Sequence, residues 1–297
     1  MNESRGLGLL GGLVPLIAAM ASVCIGNSFA KALFPLAGAS GTNALRLGLS
    51  ALLLIALFRP WRWQIGRVGW VAVVPYGMTI AAMNLCFYMA LRTLPLGIAI
   101  AIEFLGPLSI ALMFSVRRAD YLWIACAALG VASLTLPGAI SGSSHAALDP
   151  VGLAFVLGAA LAWALYIVAG KRASEILPAG QVVCLGTCVA ALIAVPVGVA
   201  STGARLIEPQ ILAGGLVVAV LASAIPFSLE MIALKRLPRH VFGVVVSLEP
   251  AIGALAALAI LGERLSLLQC LAIAALIAAS VGISRNHALE DAVPPQV

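Results

Sequence analysis

The sequence predicts an all-α polytopic membrane protein with ten transmembrane helices in two inverted five-helix repeats. Three observations predict it. Of 297 residues, 63% are hydrophobic and 9% charged, and the mean hydropathy of +1.13 is beyond what a soluble domain of this length carries. Apolar runs of about 17 to 24 residues, the length that spans a bilayer core, recur ten times along the chain. Finally, the stretch LPLGIAIAIEFLGP, Leu94 to Pro107, has an echo in LPRHVFGVVVSLEP, Leu237 to Pro250, 143 residues later.

The runs lie near residues 9–30, 41–58, 68–91, 97–116, 121–137, 151–170, 181–200, 211–234, 241–261 and 267–284. Residues 9–137 and 151–284 are read as the two repeats, with 1–8 and 285–297 as cytoplasmic tails. Arg5 followed by an apolar run has the outline of a signal peptide, but the run continues through Gly26 and Val23 spoils a lipoprotein box before Cys24, so a retained first helix is expected. That helix carries SVCIGNSFAK, where Ser22 and Gly26 make a small-residue packing face and Asn27 and Ser28 bring hydrogen-bonding groups into the membrane. In the second helix Arg46 lies roughly 7 Å from the outer end at 1.5 Å per residue.

The third helix holds Pro75, Gly77, Asn84 and Tyr88 and ends in MALRTLP, matched by IALKRLP at the same offset of 143. AALGVAS from Ala127 matches AALIAAS from Ala274 at an offset of 147, so the same order of five helices recurs. Five is odd, so the halves must be inverted. Trp163 and Tyr166 of the sixth helix are placed facing Val23 and Gly26 of the first, and Glu230 of the eighth lies about four residues from the inner end, near Lys235 and Arg236.

Charge and cysteine usage exclude several function classes. With both termini inside, the cytoplasmic side collects 12 of the 17 basic residues, and Lys31, Arg46, Arg92, Arg205 and Arg264 remain outside or in the outer membrane half. The net charge of +6 therefore follows topology rather than a nucleic-acid surface, and Trp61, Trp63 and Trp70 form an interface belt. The cysteines at 24, 86, 126, 184, 188 and 270 show no CxxC spacing; Cys184 and Cys188 are one turn apart but have no histidine or second pair beside them, so no metal site is expected. His145 and Asp149 in SGSSHAALD lack a second acid, and there is no P-loop, H-E-x-x-H or nucleophile elbow. Neither an enzyme, nor a cofactor, nor an ATP-driven pump is expected.

An ionisable group inside a membrane span is costly and marks function by default. Glu103 lies roughly 9 Å from the outer end of the fourth helix and Glu249 roughly 12 Å from the inner end of the ninth, so the two flank the midplane. Pro107 and Pro250 are helix breaks at corresponding positions, and such interruptions in inverted repeats point to a substrate site. Two lumen-facing acids suit cation binding or proton shuttling, which makes a secondary transporter the expected function.

The segments GTNALRLGLSALLLIALFRPWR, PLGIAIAIEFLGPLSIAL, LAWALYIVAGKRA, SLEMIALKRLP and FGVVVSLEPAIGAL resemble the drug/metabolite transporter superfamily with EamA-type repeats, and within it the RhtA-type threonine/homoserine exporters, from about residue 13 to 284. The resemblance implies export of small neutral amino acids across the bacterial inner membrane, with protons as coupling ion, lipid as surroundings and a homodimer as the assembly to consider. The alternative is an exporter of drugs or other metabolites of the same superfamily. In a zwitterion, the ammonium suits Glu103 and the carboxylate suits Arg46 or a helix N-terminus exposed by Pro107. Asn27, Ser28 or Asn84 would read a substrate hydroxyl. Asn27 departs from the smaller residue expected there, which bears on pocket volume.

Overall fold

The structure, a computed structural model, describes residues 2–113, 126, 129, 148–237 and 245–291. The fifth expected helix apart from residues 126 and 129, the SGSSHAALD loop up to Ala147 and residues 238–244 lie outside the described residues.

All regular structure among the described residues is helical. A helical run Asn2–Phe58 is interrupted at Gly38, whose φ of 68° and ψ of 167° suit glycine and no other residue, giving α1 (residues 2–37) and α2 (residues 39–58). The carbonyls freed at this corner are taken up by hydroxyls: Thr202 Oγ1 donates to Ala37 O (2.8 Å) and Thr42 Oγ1 to Gly38 O (2.7 Å). The chain continues through α3 (Arg67–Ala90), α4 (Leu96–Glu103), α5 (Leu105–Met113), α6 (Pro150–Ile176) and α7 (Ala179–Thr202). Then come α8 (Pro209–Ala219), a π-helical turn (Val220–Ala224), α9 (Ile225–Arg236), α10 (Glu249–Leu261) and α11 (Leu267–Asp291).

Three helices run past their expected ends, among them α6, which continues to Ile176 instead of ending near 170. The first helix runs on to residue 37 instead of ending near 30, because the stretch after Lys31 is apolar and nothing before Gly38 forces the backbone out of helical geometry. At the other end, α11 carries helix to Asp291, into the segment expected as a tail.

Three helix breaks have one cause. A proline has no N–H to give the carbonyl four residues back and its ring crowds that carbonyl. Pro107 thus leaves the carbonyl of Glu103 without its usual donor, and α4 ends at Glu103. Pro250 does the same to Val246, followed by a turn at Ser247 and Leu248 before α10. Pro226 does it to Ala222, inside the π-helical turn.

Residues divide into two compact units, each drawing segments from both sequence halves. One comprises residues 1–24, 95–148 and 225–297; the other comprises 25–94 and 149–224. In the first, α10 packs on α4 so closely that a Cβ on Gly97 would lie 2.9 Å from Ala254 Cα. In the second, α3 packs along α6 and α7 around Val73, Tyr76, Ile80, Ala173, Val182 and Leu185. There α2 meets α7 through Gly198, where a Cβ would collide with Ala44, and meets α8 through Gly215 against Leu45.

Four helical stretches, Gly11–Phe58, Arg67–Ala90, Pro150–Ile176 and Ala179–Ile207, are long and apolar enough to cross a membrane, and Leu96–Ile110, Pro209–Ala224, Glu249–Leu261 and Leu267–Ala278 are shorter apolar helices. Leu192 (75% exposed) and Leu161 (64%) are among many large apolar side chains on the outside, which lipid solvates and water does not. The chain is a multi-pass membrane protein.

Candidate functional site

The unit formed by residues 25–94 and 149–224 gathers polar groups around Arg46 of α2. Its guanidinium donates through Nη1 to Asn27 Oδ1 (3.2 Å) and Tyr88 Oη (3.3 Å), through Nη2 to Ala222 O (3.1 Å) and through Nε to Ser223 Oγ (3.5 Å). Its Cζ stands 5.5 Å from the centroid of the Tyr88 ring, close enough for a cation–π contribution. Asn27, Tyr88 and Ser223 are buried, and Arg46 is half-buried.

Local sequence builds each partner. Gly26 on α1 lets the π-helical turn approach until a Cβ there would lie 2.7 Å from Ala222 N, which brings Asn27 alongside. The carbonyl of Ala222 accepts from Arg46 because Pro226 cannot supply the helical N–H. π-helical turns recur at functional sites. Tyr88 is fully buried at the end of α3, with the Phe34 ring tilted against it at 5.7 Å between centroids. Ser50, one turn beyond Arg46, bonds the Arg46 carbonyl (2.5 Å) and reaches Ala219 O at 3.5 Å.

The electrostatic result is a cation stabilised by neutral dipoles. All four acceptors of Arg46 are uncharged, so four of its five N–H donors are matched while the net positive charge stays. The charge that the dipoles do not neutralise attracts a carboxylate, which gains the planar fork by displacing neutral acceptors from it.

The remaining expected residues fall into two groups. In the same unit, Tyr166 stacks on Tyr76 of α3 (5.0 Å between centroids, hydroxyls 3.3 Å apart), and Gly26 packs against Ala222. Asn84 is buried and donates to Ile80 O (2.9 Å) on its own helix; Ser28 is fully buried and Trp163 half-buried. In the other unit, Glu103 is 8% exposed at the last position of α4, next to the break set by Pro107. Glu249 opens α10 just before Pro250, and its carbonyl faces Cys24 Sγ at 3.8 Å. Glu230 sits half-buried in α9; nearby Arg236 donates to the carbonyl of Gly11 (3.1 Å), and the Lys235 side chain lies outside the described residues.

Arg46, Asn27 and Tyr88 are therefore brought together, with Ser223, Ser50 and the Ala222 carbonyl joining them. These three were missed by sequence reasoning. Pro226 four residues past Ala222 was the available signal for the carbonyl, and the i, i+4 spacing of Arg46 and Ser50 was the signal for the serine. Among the described residues no cluster of three or more metal-ligating side chains is present, and all six cysteines are free thiols.

Comparison with known proteins matches residues 150–285 to the EamA-like transporter family. The threonine/homoserine exporters RhtA of Escherichia coli (strain K12) and of Salmonella typhimurium (strain LT2) are each 46% identical over 271 residues, covering 91% of this chain and 90% of theirs. A crystal structure 19% identical in sequence covers 95% of this chain and 97% of its own with a TM-score of 0.62, a likeness of fold.

Proposed function

The chain belongs to the EamA-like transporter family, among its RhtA-type members, and from that premise we propose that it exports small neutral amino acids of the threonine and homoserine kind. The observation that carries the reading is the 46% identity, over nine-tenths of both chains, to exporters named for those two amino acids. The chemistry of the Arg46 cluster supports it. A zwitterion brings a carboxylate, and a half-buried guanidinium surrounded by neutral acceptors is a receptor for one.

Export proceeds by alternating access and is coupled to protons, with Glu103 and Glu249 as the coupling carboxylates. The helix breaks four residues before Pro107 and Pro250 support the reading of the chain as two inverted repeats of five helices, ten in all. The protein resides in the bacterial inner membrane with both termini in the cytoplasm, in line with the distribution of basic residues.

Efflux of labelled threonine from preloaded cells, with and without the protein and again after collapsing the proton gradient, tests this. Faster efflux that vanishes with the gradient is expected. Background efflux from cells with confirmed membrane expression refutes threonine export and turns attention to drugs and other metabolites. Fluorescent and phosphatase reporters fused to the C-terminus test the orientation: only the fluorescent one is expected to be active.

A further inference from the structure

Asn43 of α2 is 1% exposed, and neither its amide nitrogen nor its amide oxygen has a hydrogen-bond partner; among the described residues no other buried side chain is in this position. A buried amide with both atoms unmatched requires an explanation, because nothing within the protein repays its removal from water. In a helix crossing lipid the requirement is stricter.

Its place on α2 supplies one. At about 100° per residue, Asn43 lies about 60° round the helix from Arg46 and about 60° short of Ser40. Arg46 bonds Tyr88 of α3, and Ser40 Oγ contacts Met89 Sδ of α3 at 3.9 Å, so Asn43 faces the arc of α2 between these two contacts with α3. Along the axis it stands three residues from Arg46, about 4.5 Å of rise. Residues three apart on a helix are surface neighbours, so one small molecule can meet both side chains.

An amide offers one acceptor and two donor hydrogens, and a hydroxyl both donates and accepts. We propose that Asn43 reads the hydroxyl of the transported amino acid, donating from Nδ2 to the hydroxyl oxygen and accepting its hydrogen at Oδ1, while Arg46 one turn along α2 holds the carboxylate of the same molecule. This rests on the exporter reading above and adds the residue that sets its specificity. A buried amide matched by a substrate hydroxyl rejects the analogue with a methyl group in its place, since that analogue leaves both amide atoms unmatched.

The test uses the full chain in proteoliposomes and compares threonine with valine, and homoserine with norvaline, pairs that differ by a hydroxyl against a methyl. The unmodified protein is expected to prefer each hydroxy amino acid by about tenfold or more. In Asn43→Leu, Asn43→Ala and Asn43→Ser the ratio is expected to fall stepwise towards one, the serine variant keeping the most. A ratio within one preparation does not depend on how much protein has folded. Unchanged ratios in the variants that fold overturn the proposal, as does an unmodified protein that moves valine as fast as threonine. Failure of all three variants to fold also overturns it, because Asn43 would then serve the packing of α2 and not the substrate. If the unmodified protein moves neither threonine nor homoserine, the exporter reading falls and takes this inference with it, whereas intact ratios in the variants remove the inference alone.

Discussion

Replacing Gly26 with alanine tests whether the approach of α1 to the π-helical turn holds the Arg46 cluster together. The new Cβ would stand 2.7 Å from Ala222 N, 2.9 Å from Ala222 Cβ and 3.0 Å from Ala222 Cα, so backbone faces it and not the end of a flexible side chain. To restore ordinary contact the turn must retreat by about 0.7 Å, and overpacking of this kind costs about 1–3 kcal/mol. The same retreat lengthens the 3.1 Å bond from Arg46 to Ala222 O and the 3.5 Å bond to Ser223 beyond useful range, and hydrogen bonds to a charged group contribute about 1.5–3 kcal/mol. Against this, alanine is better than glycine inside a helix by about 1 kcal/mol. The net is a loss of about 2–4 kcal/mol, which lowers the melting temperature of the detergent-purified protein by roughly 5–10 °C. The assay is a thermal melt read by size-exclusion chromatography, with threonine efflux measured beside it. A variant that melts at or above the parent temperature and exports normally would show that the π-helical turn tolerates displacement, and the account of the cluster would fail.

Arg46→Lys is expected to abolish threonine efflux although the charge stays, because an ammonium at the end of a flexible stem does not reproduce a fork that reaches four acceptors; efflux within twofold of the parent would show that charge alone suffices. Glu103→Gln keeps size and removes the titrating carboxylate, so gradient-dependent efflux is expected to stop while the melting temperature holds, and normal efflux removes Glu103 from the mechanism. At the start of α6 the Gly152 N–H donates to Asp149 Oδ2 (2.8 Å), and this bond, helped by the Thr93 hydroxyl, holds the carboxyl below its ordinary range. A carboxyl with a lowered pKa in the folded state stabilises the fold above its unfolded pKa and loses that contribution as pH falls through the folded one. Asp149→Ala should therefore melt lower than the parent at neutral pH, with the gap closing on acidification; a gap independent of pH would dismiss the cap.

Hydropathy made the membrane class and most helices legible, since span length is set by bilayer thickness. Prolines made the breaks legible, because the loss of an N–H acts on a fixed carbonyl four residues away, as at Glu103 and Val246. Gly38 was not legible as the sole corner between α1 and α2: a sequence full of glycines does not say which one adopts positive φ. Arg46 was legible as an intramembrane charge, but its partners Ser223 and Ala222 lie 176 residues or more away and depend on a π-helical turn that no local pattern announces. Asn43 escaped for the opposite reason. A lone asparagine in a helix is unremarked until its surroundings prove to be without partners, and those surroundings are assembled only by the fold.

The carboxylate of Glu263, just past the end of α10, accepts the Leu96 N–H at the start of α4 (2.8 Å), across 167 residues of sequence. Gly97 and Gly253 bring the same two helices into contact, the first against Ala254 and the second with a Cβ that would collide with Ile100. These helices come from widely separated parts of the chain, yet each supplies what the other lacks: one the orphan amides and a groove, the other the acid that covers them. Neither half can drift in sequence without the other's consent here. A chimera that pairs the first half of this chain with the second half of a distant relative should therefore fail at this seam first, and restoring Glu263, Gly253 and Ala254 together should be the shortest route to its repair.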